Sequence, residues 1–158
     1  MLDQGNLLFR NNSLAESATK YKTGLRKLPR EVDEDWEETF DQLRTLFLLN
    51  LSRCERRQGH YTEAASLASS AIQSNPHNVD ALIARAKAYK AQGRLGEALK
   101  DYSTASCLVP NNKGIYLSFL KLRDEMKAKS DSKKTALYLG SANSLAYIDD
   151  TSTNCSSI

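Results

Sequence analysis

Small and bulky apolar residues alternate at helical spacing along most of this chain, and the alternation repeats with a fixed period. Counted from Asn12, Gly59 and Gly93, the second position holds Leu14, Tyr61 and Leu95, and the fifth holds Ser17, Ala64 and Ala98. The ninth holds Tyr21, Ala68 and Tyr102, and the twelfth holds Gly24, Ala71 and Ala105. Glu16, Glu63 and Glu97 take the fourth position, and Pro29, Pro76 and Pro110 the seventeenth. Gly59 and Gly93 lie 34 residues apart, as do Pro76 and Pro110, whereas Pro29 to Pro76 is 47, which is 13 more. A small side chain lets one helix approach its partner closely and a bulky one fills the hollow beside it, as ridge-into-groove packing requires. The proline stops each second helix. The pattern predicts three helix pairs, with Tyr21, Tyr102, Ala64 and Ala98 buried between helices and an insertion in the first linkage.

A 34-residue helix-turn-helix unit with small residues, aromatics and a closing Pro at these spacings resembles the tetratricopeptide repeat (TPR). The segments LFRNNSLAESATKYKTGL, GHYTEAASLASSAI and GRLGEALKDYSTA carry the resemblance. It implies an all-α fold, a right-handed TPR superhelix of three helix pairs plus a C-terminal capping helix. The repeats are expected at about 1–31, 45–78 and 79–112, with the insertion at about 32–44 lengthening the helices that flank the first connection. Ile115, Phe119, Leu122 and Met126 form one stripe, which predicts a capping helix over 113–129 and closes a domain over 1–129. Residues 130–158 read as a Ser/Thr-rich tail without its own core, either docked on the solenoid or, because Gly140 and Ser141 have the form of a junction, a fused partner peptide.

Composition narrows the function. The chain has 158 residues with 22 Lys and Arg against 19 Asp and Glu, a net charge of +3. Aromatic residues at 8% provide no stacking platform for nucleic acid. The apolar run Leu46 to Leu49 is too short for a membrane span, and the start has no signal-peptide pattern, so a cytoplasmic chain is expected. Cys54, Cys107 and Cys155 lie far apart without a CxxC pair and are expected reduced. His60 and His77 share a helical face with no second ligand type, so neither metal nor cofactor is expected. No nucleophile elbow, Gly-rich phosphate loop or HExxH occurs, and the expectation is a chain that is not an enzyme. The carboxylates Glu31, Asp33, Glu34, Asp35, Glu37 and Glu38 are read as the solvated start of a long helix, where the helix dipole favours them.

In such solenoids the first helix of each pair lines the inner wall. Stepping back from each turn, that wall collects Asn6, Phe9 and Arg10, then Asn50, Arg53, Arg56 and Arg57, then Ile83, Lys87 and Lys90, with Lys121 on the seventh helix. So much positive charge predicts an extended peptide ligand carrying acidic and apolar residues, held by charge-assisted hydrogen bonds. A subclass of TPR domains clamps the acidic C-termini of heat-shock chaperones. Asn6 and Asn50 stand where its asparagines are expected, while Leu2, Asp80 and Ala84 replace its cations. YKTGLRKLPRE, LLNLSRCERR and ALIARAKAY are similar to the TANC and rolling pebbles scaffolds, which implies an adaptor at cell junctions, at synapses or in myoblast fusion, with the cytoplasmic tail of a membrane protein as a partner. Chaperone binding is the alternative. Ser156 and Ile158 at the C-terminus have the form of a PDZ ligand, and Leu145, Tyr147 and Ile148 with Asp149 and Asp150 are expected to dock the tail on the basic wall.

Overall fold

The computed structural model describes residues 1–149, with side chains through Ala136. Seven helices follow one another: α1 (Leu2–Arg10), α2 (Leu14–Lys27), α3 (Glu34–Arg57), α4 (Tyr61–Ser74), α5 (Val79–Ala91), α6 (Leu95–Leu108) and α7 (Lys113–Asp149), and no strand occurs among the described residues. The chain forms two compact units, Met1–Leu120 and the part from Lys121 on. In the first, α1 with α2, α3 with α4 and α5 with α6 make the three expected pairs, and α2 with α3 and α4 with α5 join them into an all-α solenoid. Tyr21, Tyr102, Ala64 and Ala98 are all buried.

The turn inside each pair is built the same way three times. Asn12, Gly59 and Gly93 have φ of 61, 89 and 78°, the left-handed conformation that favours Gly and that Asn tolerates. The next backbone N–H, of Ser13, His60 or Arg94, donates back to the carbonyl of Leu8, Glu55 or Tyr89 at 2.9 Å each time. This Schellman arrangement satisfies carbonyls that a helix C-terminus otherwise leaves open. Between pairs the side chain of Asn78 accepts from Ala81 N–H at 2.9 Å, capping α5. Asn112, 34 residues later, accepts from Gly114 and Ile115 N–H at the start of α7.

The core depends on close approach. At the α1/α2 contact a Cβ added to Gly5 would lie 2.9 Å from Tyr21 Cδ1, and at the α2/α3 contact a Cβ on Gly24 would overlap the Phe47 ring. Tyr21 and Phe47 meet edge to face, centroids 6.4 Å apart, within a cluster that includes Ala18, Leu51 and Cys54. Further along, alanines take over: Ala68, Ala71, Ala81 and Ala84 surround Leu49, and Ala64, Ala65 and Ala88 form the next layer.

Two expectations need correction. Eleven of the 13 extra residues lengthen α3 and two lengthen the connection before it, while α2 keeps the length of α4 and α6, because Leu28, with φ −69° and ψ 133°, is already extended ahead of Pro29. The seventh helix does not stop near 129 but runs to Asp149, through residues read as a tail. No Pro follows Pro110 to stop it, the segment is rich in Ala, Leu and Lys, and Lys129 pairs with Glu125 one turn earlier at 3.1 Å. Among the described residues no helix is long and apolar enough to cross a membrane.

The glycines divide into two kinds with different costs. Gly24→Ala is expected to destabilise by about 1–3 kcal/mol through overpacking against Phe47, and Gly59→Ala, in open space at positive φ, by about 1 kcal/mol through strain. Gly59→Asn should recover part of the second loss and Gly24→Asn none of the first, as read from urea midpoints.

Candidate functional site

The pairing turns the first helices α1, α3 and α5 toward one another's flanks, and the polar residues at i, i+3 and i+4 spacing on them converge on two adjoining cavities. Asn6, Phe9, Arg10, Tyr21, Asn50 and Arg53 line the smaller, of about 140 Å³. The larger, of about 380 Å³, has Phe9, Arg53, Arg56 and Arg57 on one side and Asp80, Ile83, Ala84 and Lys87 on the other. Nine of the eleven residues expected on the basic wall therefore come together. Lys90 is exposed and is not in the lining of either cavity, and Lys121 belongs to the second unit.

Hydrogen-bond polarity in the smaller cavity is set by one residue. Arg53 can only donate, and its Nη1 reaches Asn50 Oδ1 at 3.3 Å. Asn50 Nδ2 must then face the other way, and it donates to Asn6 Oδ1 at 3.3 Å. Tyr21 Oη donates to the same oxygen at 2.6 Å. With Oδ1 taken twice, the two N–H donors of Asn6 Nδ2 have no partner in this network, and Arg53 keeps further N–H groups. The cavity thus offers donors and asks for an acceptor. Sequence reasoning placed Asn6 and Asn50 but took Tyr21 as core alone, because no spacing rule links a residue of α2 to Asn6 on α1.

The larger cavity is crowded with cations. Burial lowers the Lys87 pKa from its ordinary value, the charges of Arg56 and Arg53 lower it further, and Asp80 opposes them. Arg57 lies over the Phe9 ring, 4.6 Å from its centroid, which keeps the guanidinium beside an apolar wall. An anion entering here would relieve repulsion among like charges.

Buried ion pairs hold the helices that carry these groups. Glu55, buried near the end of α3, takes Lys22 Nζ of α2 at 2.9 Å and His60 Nδ1 of the turn at 2.7 Å. Burial alone would raise its carboxyl, but the hydrogen bonds and charges of Lys22 and His60 outweigh that and hold its pKa below 4.5. Arg85 of α5 grips buried Asp101 of α6 with two bonds of 2.8 and 2.7 Å. Cys54 is buried with its thiol 3.4 Å from Ser17 Oγ, and burial pushes its pKa up, away from the reactive thiolate. The tail residues Leu145, Tyr147, Ile148 and Asp149 with Asp150, and the terminal Ser156 and Ile158, lie outside the residues whose side chains are described.

Because Glu55 ionises more readily folded than unfolded, its contribution to stability is present above about pH 4.5 and is lost as pH falls through its lowered pKa. Glu55→Gln should cost about 1–2 kcal/mol at pH 7 and progressively less as the pH falls through the lowered pKa of Glu55, flattening the acid limb of a stability-against-pH curve.

Three comparisons bear on this geometry. The family model for the tetratricopeptide repeat matches residues 55–133, half of the chain. Unc-45 homolog B of Xenopus tropicalis is 25% identical over 127 residues, covering 80% of this chain and 13% of that protein, so the chain spans only a small part of its curated relative. Among solved structures, the C-terminal TPR-containing domain of a Plasmodium falciparum FK506-binding protein superposes with a TM-score of 0.72 at 26% identity, covering 82% of this chain and 88% of that one. The first TPR of Spaghetti (RPAP3), bound to the HSP90 peptide SRMEEVD, shares the fold with a TM-score of 0.66 at 21% identity, covering 80% and 90%.

Proposed function

The chain belongs to the tetratricopeptide repeat family, and we propose that it is a non-enzymatic peptide-binding module whose α1–α3–α5 groove takes the acidic C-terminal end of a partner protein. The observation that carries this reading is the donor network of Asn6, Asn50 and Arg53 opening beside Arg56, Arg57 and Lys87. A terminal carboxylate accepts from the Asn6 and Arg53 donors, and acidic side chains before it pair with the cations of the larger cavity. An apolar residue between them rests on Phe9 and Ile83, which line the same space.

The bound peptide in the RPAP3 structure, ending in Glu-Glu-Val-Asp, has this composition. It supports chaperone C-termini as the partner class ahead of the junction-scaffold reading. Asp80 and Ala84 stand where that class of groove would carry cations, but Lys87, one helical turn beyond Ala84, supplies a charge to the same cavity. Asp80 narrows what fits: an acidic side chain directly against it is repelled, so the ligand's acidic residues are directed toward Arg53, Arg56 and Lys87. Placement in a TANC-like scaffold at cell junctions and a PDZ partner at the C-terminus rest on the sequence resemblance alone and are proposals of a different partner.

Calorimetric titration with a peptide ending in Glu-Glu-Val-Asp tests the reading. Binding is expected to weaken by about 1–3 kcal/mol, roughly 5- to 150-fold, when the C-terminus is amidated or when Arg53 or Lys87 is changed to Glu, and to weaken steeply with salt. Equal affinity of the free and amidated peptides would remove the carboxylate from the groove, and unchanged affinity in both variants would place the site elsewhere.

A further inference from the structure

The α3 helix outruns its neighbours. It has 24 residues, where α1 has 9 and α5 has 13, and the added turns stand at its N-terminal end. One apolar stripe runs down it through Trp36, Phe40, Leu43 and Phe47, at spacings of 4, 3 and 4. Phe47 is buried and Leu43 packs on the cluster around Tyr21. Past that point α2 has ended, and the stripe continues uncovered: Trp36 is 59% exposed, and with Val32 and Phe40 it lines an open depression of about 760 Å³ edged by Glu31 and Asp33. The connection beneath is fixed, since Arg44 donates to Pro29 O at 3.0 Å and pairs with Asp41. The exposed stripe is therefore held in place by the fold.

Its charge is as distinctive as its apolarity. Seven of the eleven residues from Glu31 to Asp41 are acidic and none is basic. Among the described residues Asp41 is the member of this run with an ion-pair partner. A helix dipole favours one or two carboxylates in a first turn, but this run covers two turns: Glu31 and Asp33 border the exposed Trp36, and Glu34, Glu37, Glu38 and Asp41 line the neighbouring face of α3.

We propose that this projection of α3 is a second docking surface, occupied by a basic segment of a partner protein that seats an aliphatic or aromatic side chain between Trp36 and Phe40 and places Lys or Arg against the surrounding carboxylates. Charge complementarity selects this occupant. The acidic peptides that suit the groove are repelled here, as are phosphate-bearing surfaces, and a second copy of the chain would bring two acidic rims together. A buried aromatic anchor ringed by opposite charges is the arrangement that concentrates binding energy at interfaces. The two surfaces take opposite charge, so one partner with a basic segment and another with an acidic end can be held together.

Trp36 is the only Trp of the chain, so its fluorescence reads this surface without a label. The probe is a 14-residue amphipathic Lys/Leu peptide, with a Glu/Leu peptide of the same pattern as its control. The Lys/Leu peptide is expected to move Trp36 emission to shorter wavelength, with an affinity that falls at least about tenfold in the Glu31→Lys/Asp33→Lys variant and is unchanged in Arg53→Glu, which separates this surface from the groove. Far-ultraviolet circular dichroism checks that each variant is folded. No shift with the Lys/Leu peptide, an equal shift with the Glu/Leu peptide, or a shift in the protein alone as its concentration rises, the sign of self-association, would each overturn the proposal.

Discussion

Tyr21 joins the packing of this molecule to its chemistry. Its ring is almost fully buried, lies over Gly5 where no side chain could stand, and meets Phe47 edge to face; Phe47 in turn occupies the space left by Gly24. Two glycines and two aromatics thus set how closely α1, α2 and α3 approach, and a few added methyl groups there would push the helices apart. The Tyr21 hydroxyl emerges from this core at Asn6, and that bond, with Asn50 and Arg53 behind it, orients the amide that faces the groove. The site is as rigid as the helix contacts beneath it.

Charge is divided along α3. Its C-terminal half carries Arg53, Arg56 and Arg57 into the groove, and its N-terminal turns carry the acidic run around Trp36. A net charge of +3 hides this separation. Opposite charges on one helix also agree with its dipole, acidic at the start and basic at the end, so each cluster is compatible with the helix that presents it. Like charges inside a cluster repel; at Lys87 burial first, and then the charges of Arg56 and Arg53, lower the pKa, and a counter-charge in the groove would relieve both.

Much of this was legible in the sequence because helical repeats write their packing locally. The 34-residue register located the turns, and Asn12 filled the place of glycine because both tolerate positive φ. It also brought Asn6, Asn50, Arg53 and Lys87 to one face, since residues three and four apart share a side of a helix. Less legible were features that depend on what a residue meets. Tyr21 fits the ninth position as core, and nothing in the spacing announces that its hydroxyl reaches Asn6. Glu55 reads as one more surface charge until Lys22 and His60 close on it. The insertion was visible in length but not in placement, which follows from Pro29 ending α2. The length of α7 agrees with the lack of any Pro after Pro110.

The proposed ligand of the groove between α1, α3 and α5 is a peptide carboxylate. Amide chemical-shift mapping of the 15N-labelled chain during titration with a peptide ending in Glu-Glu-Val-Asp tests it most directly. The largest changes are expected on Asn6, Asn50, Arg53 and Lys87, with the side-chain amide signals of Asn6 among them, and should shrink at high salt. Changes concentrated on the outer helices α2, α4 and α6, with the Asn6 and Asn50 side-chain signals unmoved, would contradict it.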